Sequence, residues 1–305
     1  MELYPDHICQ SPEWAEFKTK MGTQSVKAGE AFFTIHSLPL TPFSVGYCPR
    51  VKPENLDLEK FIHVAQHQKC THVKIDVPNA PETFEPKSND TNLKSAKPTF
   101  STATFMIDLS PSKELIISKM HHKTRYNIRL SDKKGIKVER DGDIETFLSL
   151  QRETAKRQGF FVHSDHYYRT LWDLFSKKDM AFIVTARLEE EPLASLFLMK
   201  YKDTLYYPYG GSSVSHKDAM APNSVMWEAI RLGKDLGCEQ FDMWGALANP
   251  SPDHPWAGFH RFKEGFGAQL VKYPGSWDLI LNRPAYEFFK VSDDLRWKFL
   301  GLMRS

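Results

Sequence analysis

The sequence predicts an α/β protein built as two related domains, each a mixed sheet with helices on its faces. Three observations predict it. Strand-like and helix-like patterns alternate along the chain. A meander of three strands (181–188, 193–201 and 204–209) stands between helices in the second half. The order of elements in the first half is similar, and 305 residues suit two domains better than one.

Element by element, Ser11-Pro12-Glu13-Trp14 reads as a capped helix start with Pro at the first helical position. That helix runs to about Met21. AFFTIHSL from Ala31 and VGYCPRV from Val45 read as short strands between Pro-containing turns. Asp57 to Lys69 carries Leu58, Phe61, Ile62 and Ala65 at helical spacing, and HVKIDV from His72 alternates as a strand. The polar, Pro-rich stretch 79–98 is expected to be a loop. Phe100 to Leu109 returns as a strand and Pro111 opens a helix expected over 112–131. A short strand after Gly135 leads to helices at 144–158 and 165–176, then the meander. Pro222 opens a helix that Gly237 ends. A strand at 240–244, another at 277–281 and a helix from Pro284 finish the chain.

Composition excludes several classes. With 41% hydrophobic and 26% charged residues and a net charge of +2, the chain is ordinary globular material. No run approaches the roughly 18 apolar residues of a membrane span, and MELYPDHICQ lacks a secretory pattern. Cys9, Cys48, Cys70 and Cys238 form no C-x-x-C pair, which suits free thiols in the cytoplasm. His63, His67, Cys70 and His72 cluster in sequence, but position 64 is Val where H-E-x-x-H needs Glu, so no metal is expected. No P-loop and no G-x-S-x-G elbow is present.

Charge is concentrated between Lys119 and Arg140, where eight basic residues meet Asp132 and Glu139. His122, Arg125, Arg129 and Lys133 follow at helical intervals on one stripe, with Tyr126 beside it. Such a face is either solvated or a set of phosphate contacts for a nucleic-acid backbone. Tyr207 and Tyr209 alternate in YYPYGGS and are expected to share a face. Trp256 to Leu279 sets six aromatic residues around Lys263 and breaks regularity at Gly258, Gly265, Gly267 and Gly275. A lysine so enclosed is desolvated, and glycines at this density mark turns or close approach of backbone. RFKEGFG comes within one residue of the R-x-x-G-x-G/A loop with which acetyltransferases hold coenzyme A.

Several stretches together carry a family resemblance. They are Gln10–Trp14, Tyr47-Cys48-Pro49-Arg50, KTRYNIRLSDKKGIKV at 123–138, YYPYGGS, Asn223 to Gly245, FKEGFG and YPGSWDL. In this order they resemble the FemABX aminoacyltransferases, which build the interpeptide bridge of bacterial peptidoglycan. The resemblance implies two acetyltransferase-like (GNAT-type) domains, 1–142 completed by 276–305 and 143–275. It implies the compact kind without a coiled-coil arm. It further implies an aminoacyl-tRNA donor, a lipid-linked or UDP-linked muropeptide as acceptor, no cofactor, and a monomer working at the inner membrane surface.

By the same resemblance Lys263 and Phe262 fall at the reaction centre, and Tyr167, Tyr207 and Tyr209 line the precursor site. Arg50 and Lys18 are expected on the substrate side. A family lysine is replaced by Glu16 with Lys18 one step on, and a family arginine by His163. Both are poorer phosphate partners, so the acceptor is expected to be held differently. Lys123, Arg125, Arg129 and Lys133 are the expected tRNA contacts. Lys263 is expected to face the oxyanion of a direct aminolysis. Three competing readings stay open: a coenzyme-A acyltransferase on the same fold, an RNA-binding protein whose basic stripe is its whole function, and a transferase that tags protein N-termini from aminoacyl-tRNA.

Overall fold

The computed structural model describes residues 2–86, 92–159 and 161–290. Its helices are α1 (Pro12–Lys20), α2 (Leu58–His67), α3 (Lys113–Lys119), α4 (His122–Lys133), α5 (Ile144–Gln158), α6 (Asp165–Phe175), α7 (Ala221–Asp235) and α8 (Ala257–Glu264). The first strands are β1 (Ser25–Ala28), β2 (Ala31–Ser37), β3 (Ser44–Pro49), β4 (Cys70–Asp76), β5 (Leu93–Ala96), β6 (Ala103–Asp108) and β7 (Ile136–Glu139). They are followed by β8 (Ala181–Leu188), β9 (Glu191–Tyr201), β10 (Thr204–Ser212), β11 (Gln240–Gly245), β12 (Gln269–Lys272) and β13 (Ser276–Ile280). Residues 283–290 are also helical.

Helix starts follow the capping chemistry of the sequence. Ser11 accepts from Trp14 N at 3.0 Å, Asp57 from Lys60 N at 3.1 Å and Asp143 from Thr146 N at 3.0 Å. Gly159 ends α5 in the left-handed conformation.

The chain divides into two compact units, one of residues 9–100 and 273–305 and one of 1–8 and 101–272. The first holds a six-stranded sheet in the order β1-β2-β3-β4-β13-β5. Among the described strands only β3 and β4 run parallel within it; β13 lies antiparallel between β4 and β5. Its core gathers Phe33, Ile35, Val73, Ile75 and Leu279 with Phe61 and Ala65 of α2. The second holds a seven-stranded sheet, β12-β6-β11-β10-β9-β8-β7, in which β10 and β11 are parallel and the other pairs antiparallel. Its core packs β6, β8, β9 and β10 against α7, whose Val225, Met226, Ala229 and Ile230 are buried. Residues 101–142, which the sequence reading counted with the first domain, join this second sheet through β6 and β7.

Three expectations need correction. The helix expected over 112–131 is two helices. Met120 turns extended (φ −69°, ψ 152°) and buries its side chain, and His121 N donates to Gly265 O at 2.9 Å. The stretch 79–98 is not all loop, since its end forms β5 against β13. Pairing to a strand more than 180 residues away leaves no local pattern to read. Tyr207 and Tyr209 do not keep simple alternation, because β10 bulges against β9 between Tyr206 and Tyr209. Tyr207 joins the core on the α7 side, while Tyr209 packs on Tyr168 and Phe197.

Candidate active site

Strands β10 and β11 pair from Thr204–Tyr206 against Gln240–Asp242. Beyond that point each keeps its outer partner and bulges: β10 against β9, and β11 against β6 between Asp242 and Gly245. Neighbouring strands that stop pairing while holding their outer partners must part. A wedge at the C-terminal ends of parallel strands is where open α/β sheets bind ligands.

Lys263, in the last turn of α8, is 2% exposed. Its ammonium donates to Met243 O at 2.5 Å and Gly245 O at 2.7 Å, both on the bulged end of β11. The Phe259 ring lies 4.1 Å and the Tyr207 ring 5.6 Å from Nζ. Burial pulls its pKa down to about 7, with the Asp242 charge opposing. An ammonium has three donors. Two carbonyls leave one for a substrate atom, such as a developing oxyanion.

Phe262 points elsewhere. It packs against the second core and meets Phe266 edge-on at 5.2 Å. The glycines of FKEGFG serve packing. A Cβ on Gly267 (φ 71°) would stand 2.7 Å from Lys119 O, and one on Gly265 2.6 Å from Thr124 Oγ1. RFKEGFG therefore closes α8 onto the α3–α4 break and runs on into β12. An anion cradle of backbone N–H groups sits instead at a helix start.

A second group forms where α6 begins. The His163 ring stacks on Tyr167 at 3.8 Å, and the Tyr167 and Tyr209 hydroxyls are 3.1 Å apart. Tyr168 meets Tyr209 edge-on at 5.0 Å. Three of the expected substrate residues, His163, Tyr167 and Tyr209, thus share one aromatic wall; Tyr207 stands with Lys263.

Lys18 and Arg50 lie in the six-stranded unit. Lys18 on α1 hangs over the Trp14 ring at 5.5 Å, and burial lowers its pKa. It in turn helps depress His36, whose shift comes first from its own burial. Arg50 is buried with φ 54°, its guanidinium 3.8 Å from the Tyr273 ring and 4.6 Å from Phe100. Beside it the Asp76 carboxylate accepts from the Tyr47 hydroxyl (2.6 Å), Ser276 Oγ (2.6 Å) and two backbone N–H groups.

On α4, Lys123, Arg129 and Lys133 are exposed along with Tyr126. Arg125 differs: its guanidinium donates to Ser118 O and Met120 O, tying down the end of α3. Lys134 pairs with Asp218, and Arg140 with Glu228 and Asp235. Of the sequence cluster at 63–72, His63 and His67 stack at 5.9 Å, while Cys70 Sγ contacts Ser44 and His72 packs on Tyr286. The four cysteines are buried.

The sequence reading missed the groups that hold Lys263. Phe259 was findable, since it stands four residues earlier on the same helix. The carbonyls of Met243 and Gly245, and the Thr104 and Asp242 side chains behind them, were not, because they depend on strand pairing across more than a hundred residues.

In class, this is an acetyltransferase-like fold: residues 118–257 match the acetyltransferase (GNAT) domain family. The crystal structure of FemX aligns with a TM-score of 0.78 at 20% identity, covering 93% of this chain and 95% of that one, which speaks for the fold. The Lipid II:glycine glycyltransferase of Staphylococcus haemolyticus is 23% identical, covering 93% of this chain and 90% of its own length. That of Staphylococcus saprophyticus is 21% identical at the same coverage. The FemABX resemblance read from the motifs thus runs through nearly the whole chain. The first alignment extends over 382 positions against 305 residues here, so that relative carries segments without a counterpart. Among the described residues the longest helices, α5 and α7, have 15 residues, too short for a hairpin arm.

Proposed function

We propose that this chain is an aminoacyltransferase that moves an amino acid from aminoacyl-tRNA to the stem-peptide amine of a peptidoglycan precursor. The observation that carries the reading is the end-to-end similarity to proteins named for glycine transfer onto lipid II. The relatives' names favour a lipid-linked acceptor. Among the described residues no helix is long and apolar enough to cross a membrane, so such an acceptor would be met at the membrane surface.

The chemistry asks little of the protein. The acceptor amine attacks the ester carbonyl, a C–N bond forms, the C–O bond to the ribose breaks, and the proton leaves to the ribose oxygen. A 2′/3′ ribose ester is already reactive, so orientation and a cation for the oxyanion suffice. Lys263 supplies the cation beside the parted strands, and His163, Tyr167 and Tyr209 offer a wall for the precursor. Exposed Lys123, Arg129 and Lys133 contact tRNA phosphates. The coenzyme-A reading loses its motif, because RFKEGFG ends a helix rather than starting one.

The test is a panel of charged tRNAs incubated with UDP-linked and lipid-linked precursors, with products weighed by mass spectrometry. A product heavier by one amino-acid residue is expected. No transfer from any charged tRNA, together with acyl transfer from an acyl-coenzyme A, overturns the reading.

A further inference from the structure

We propose that Thr104 and Asp242 are positioning residues that hold the β11 bulge in the shape that clamps Lys263. The inference deepens the reading of Lys263 as the cation at the reacting centre and rests on it. Thr104 is 1% and Asp242 3% exposed, and both sit on neighbouring interior strands of the seven-stranded sheet. A buried hydroxyl and carboxylate there are costly unless hydrogen-bonded.

Their bonds converge on one place. Asp242 Oδ1 accepts from Thr104 Oγ1 at 2.5 Å and from Trp244 N at 2.7 Å. The Thr104 hydroxyl also lies against Trp244 O. Trp244 has φ 63°, a conformation that a bulky residue keeps only when its surroundings impose it. Past the bulge the chain is fastened again, with Ala246 N donating to Ala103 O at 2.8 Å and Ser101 Oγ to Ala246 O at 2.9 Å. The strained residue is thus pinned on both sides. Its two neighbours, Met243 and Gly245, are the ones whose carbonyls take the Lys263 ammonium.

The pinned bulge therefore turns two backbone carbonyls toward α8, and Asp242 adds a negative charge behind them. The titratable side chains facing the ammonium are Asp242 from β11 and Tyr207 from β10, while His260, one turn earlier on α8, accepts from Leu247 N and packs on Phe105. Asp242 favours the protonated amine against its burial. Without the Thr104 hydroxyl the bulge relaxes and the carbonyls lose their aim, which also disfavours the charged form.

The test labels the protein with [6-13C]lysine and follows the Cε resonance of Lys263, assigned by its loss in Lys263→Met, against pH. Asp242→Asn is expected to lower the midpoint by about one unit or more. Thr104→Val is expected to lower it too, while Thr104→Ser, which keeps the hydroxyl, stays with the parent. Single-turnover transfer by Thr104→Val at pH 7 should fall on the order of tenfold or more at saturating substrate. Should Asp242→Asn not fold, the Thr104 pair decides. Parent-like titration in folded Asp242→Asn and Thr104→Val overturns the proposal. The resonance is read without substrates, so a parent protein that transfers nothing would sink the proposed function and leave this result standing.

Discussion

Burial away from water lowers the pKa of Lys263 from 10.5 to about 7, against the pull of the Asp242 charge. Above pH 10.5 the amine is neutral whether folded or not. As pH falls from 10.5 to 7 the unfolded chain takes a proton that the folded one refuses, and stability drops; below 7 the whole penalty is present. Lys263→Met should therefore flatten the stability profile between pH 7 and 10.5. Any relief at pH 7 is offset by the carbonyls of Met243 and Gly245, which the methionine leaves without their donor, so the prediction lies in the slope. Urea melts at pH 7 and 9 check this; an unchanged slope would mean that the lysine is not the source. The same variant should slow single-turnover transfer by ~10²–10³ while substrate affinities hold. A lysine whose charge costs the fold stability yet is needed for the rate is explained by chemistry. Weaker binding with an intact saturated rate would make it a clamp for phosphate instead.

At the scale of elements, α4 offers the plainest separation of roles. Lys123→Ala, Arg129→Ala and Lys133→Ala should each reduce the slope of log affinity for tRNA against log salt by about 1. Arg125→Ala should instead lower stability, because its guanidinium holds the α3 carbonyls. Salt slopes equal to the parent's in all three would leave the exposed stripe merely solvated. The turn after α8 gives a second case. Gly267→Ala brings a Cβ to 2.7 Å from Lys119 O at φ 71°, and should cost about 1–3 kcal/mol in a thermal or urea melt. Much at this scale was legible. Caps at Ser11, Asp57, Asp143 and Ser164, and the periodicity of α5 and α7, are written within a few residues of where they act. Lys263 itself stood out by its aromatic and glycine neighbours. What escaped was set by partners far along the chain. The α3–α4 break answers to Gly265 and Gly267, the separation of Tyr207 from Tyr209 answers to a bulge against β9, and the clamp on Lys263 answers to Thr104 on β6. None of these leaves a local period.

For the whole molecule the telling element is β13, which stands between β4 and β5 although its residues lie near the chain's end. Tyr286 just beyond it is buried, donating to Asp278 Oδ2 at 2.9 Å and packing on His72, whose burial pulls its pKa down to about 4. A chain ending at Gly275 loses the strand that joins β5 to β4. It should aggregate, as light scattering after expression would report; a monodisperse truncated protein would contradict the sheet order. Acid should act on the same unit. Between pH 6.5 and 4 the unfolded chain protonates His72 and the folded one does not, so stability falls across that window, and His72→Gln should remove part of the fall. The placement of β13 also sets a timetable. On the ribosome residues 9–100 emerge early but cannot close their sheet until strand 276–280 is made. The unit of residues 101–272 has all its strands in hand before then. Of the two units, the one whose sheet is begun earlier is thus finished later, and its half-built sheet stays open while the whole of the other's sheet is made.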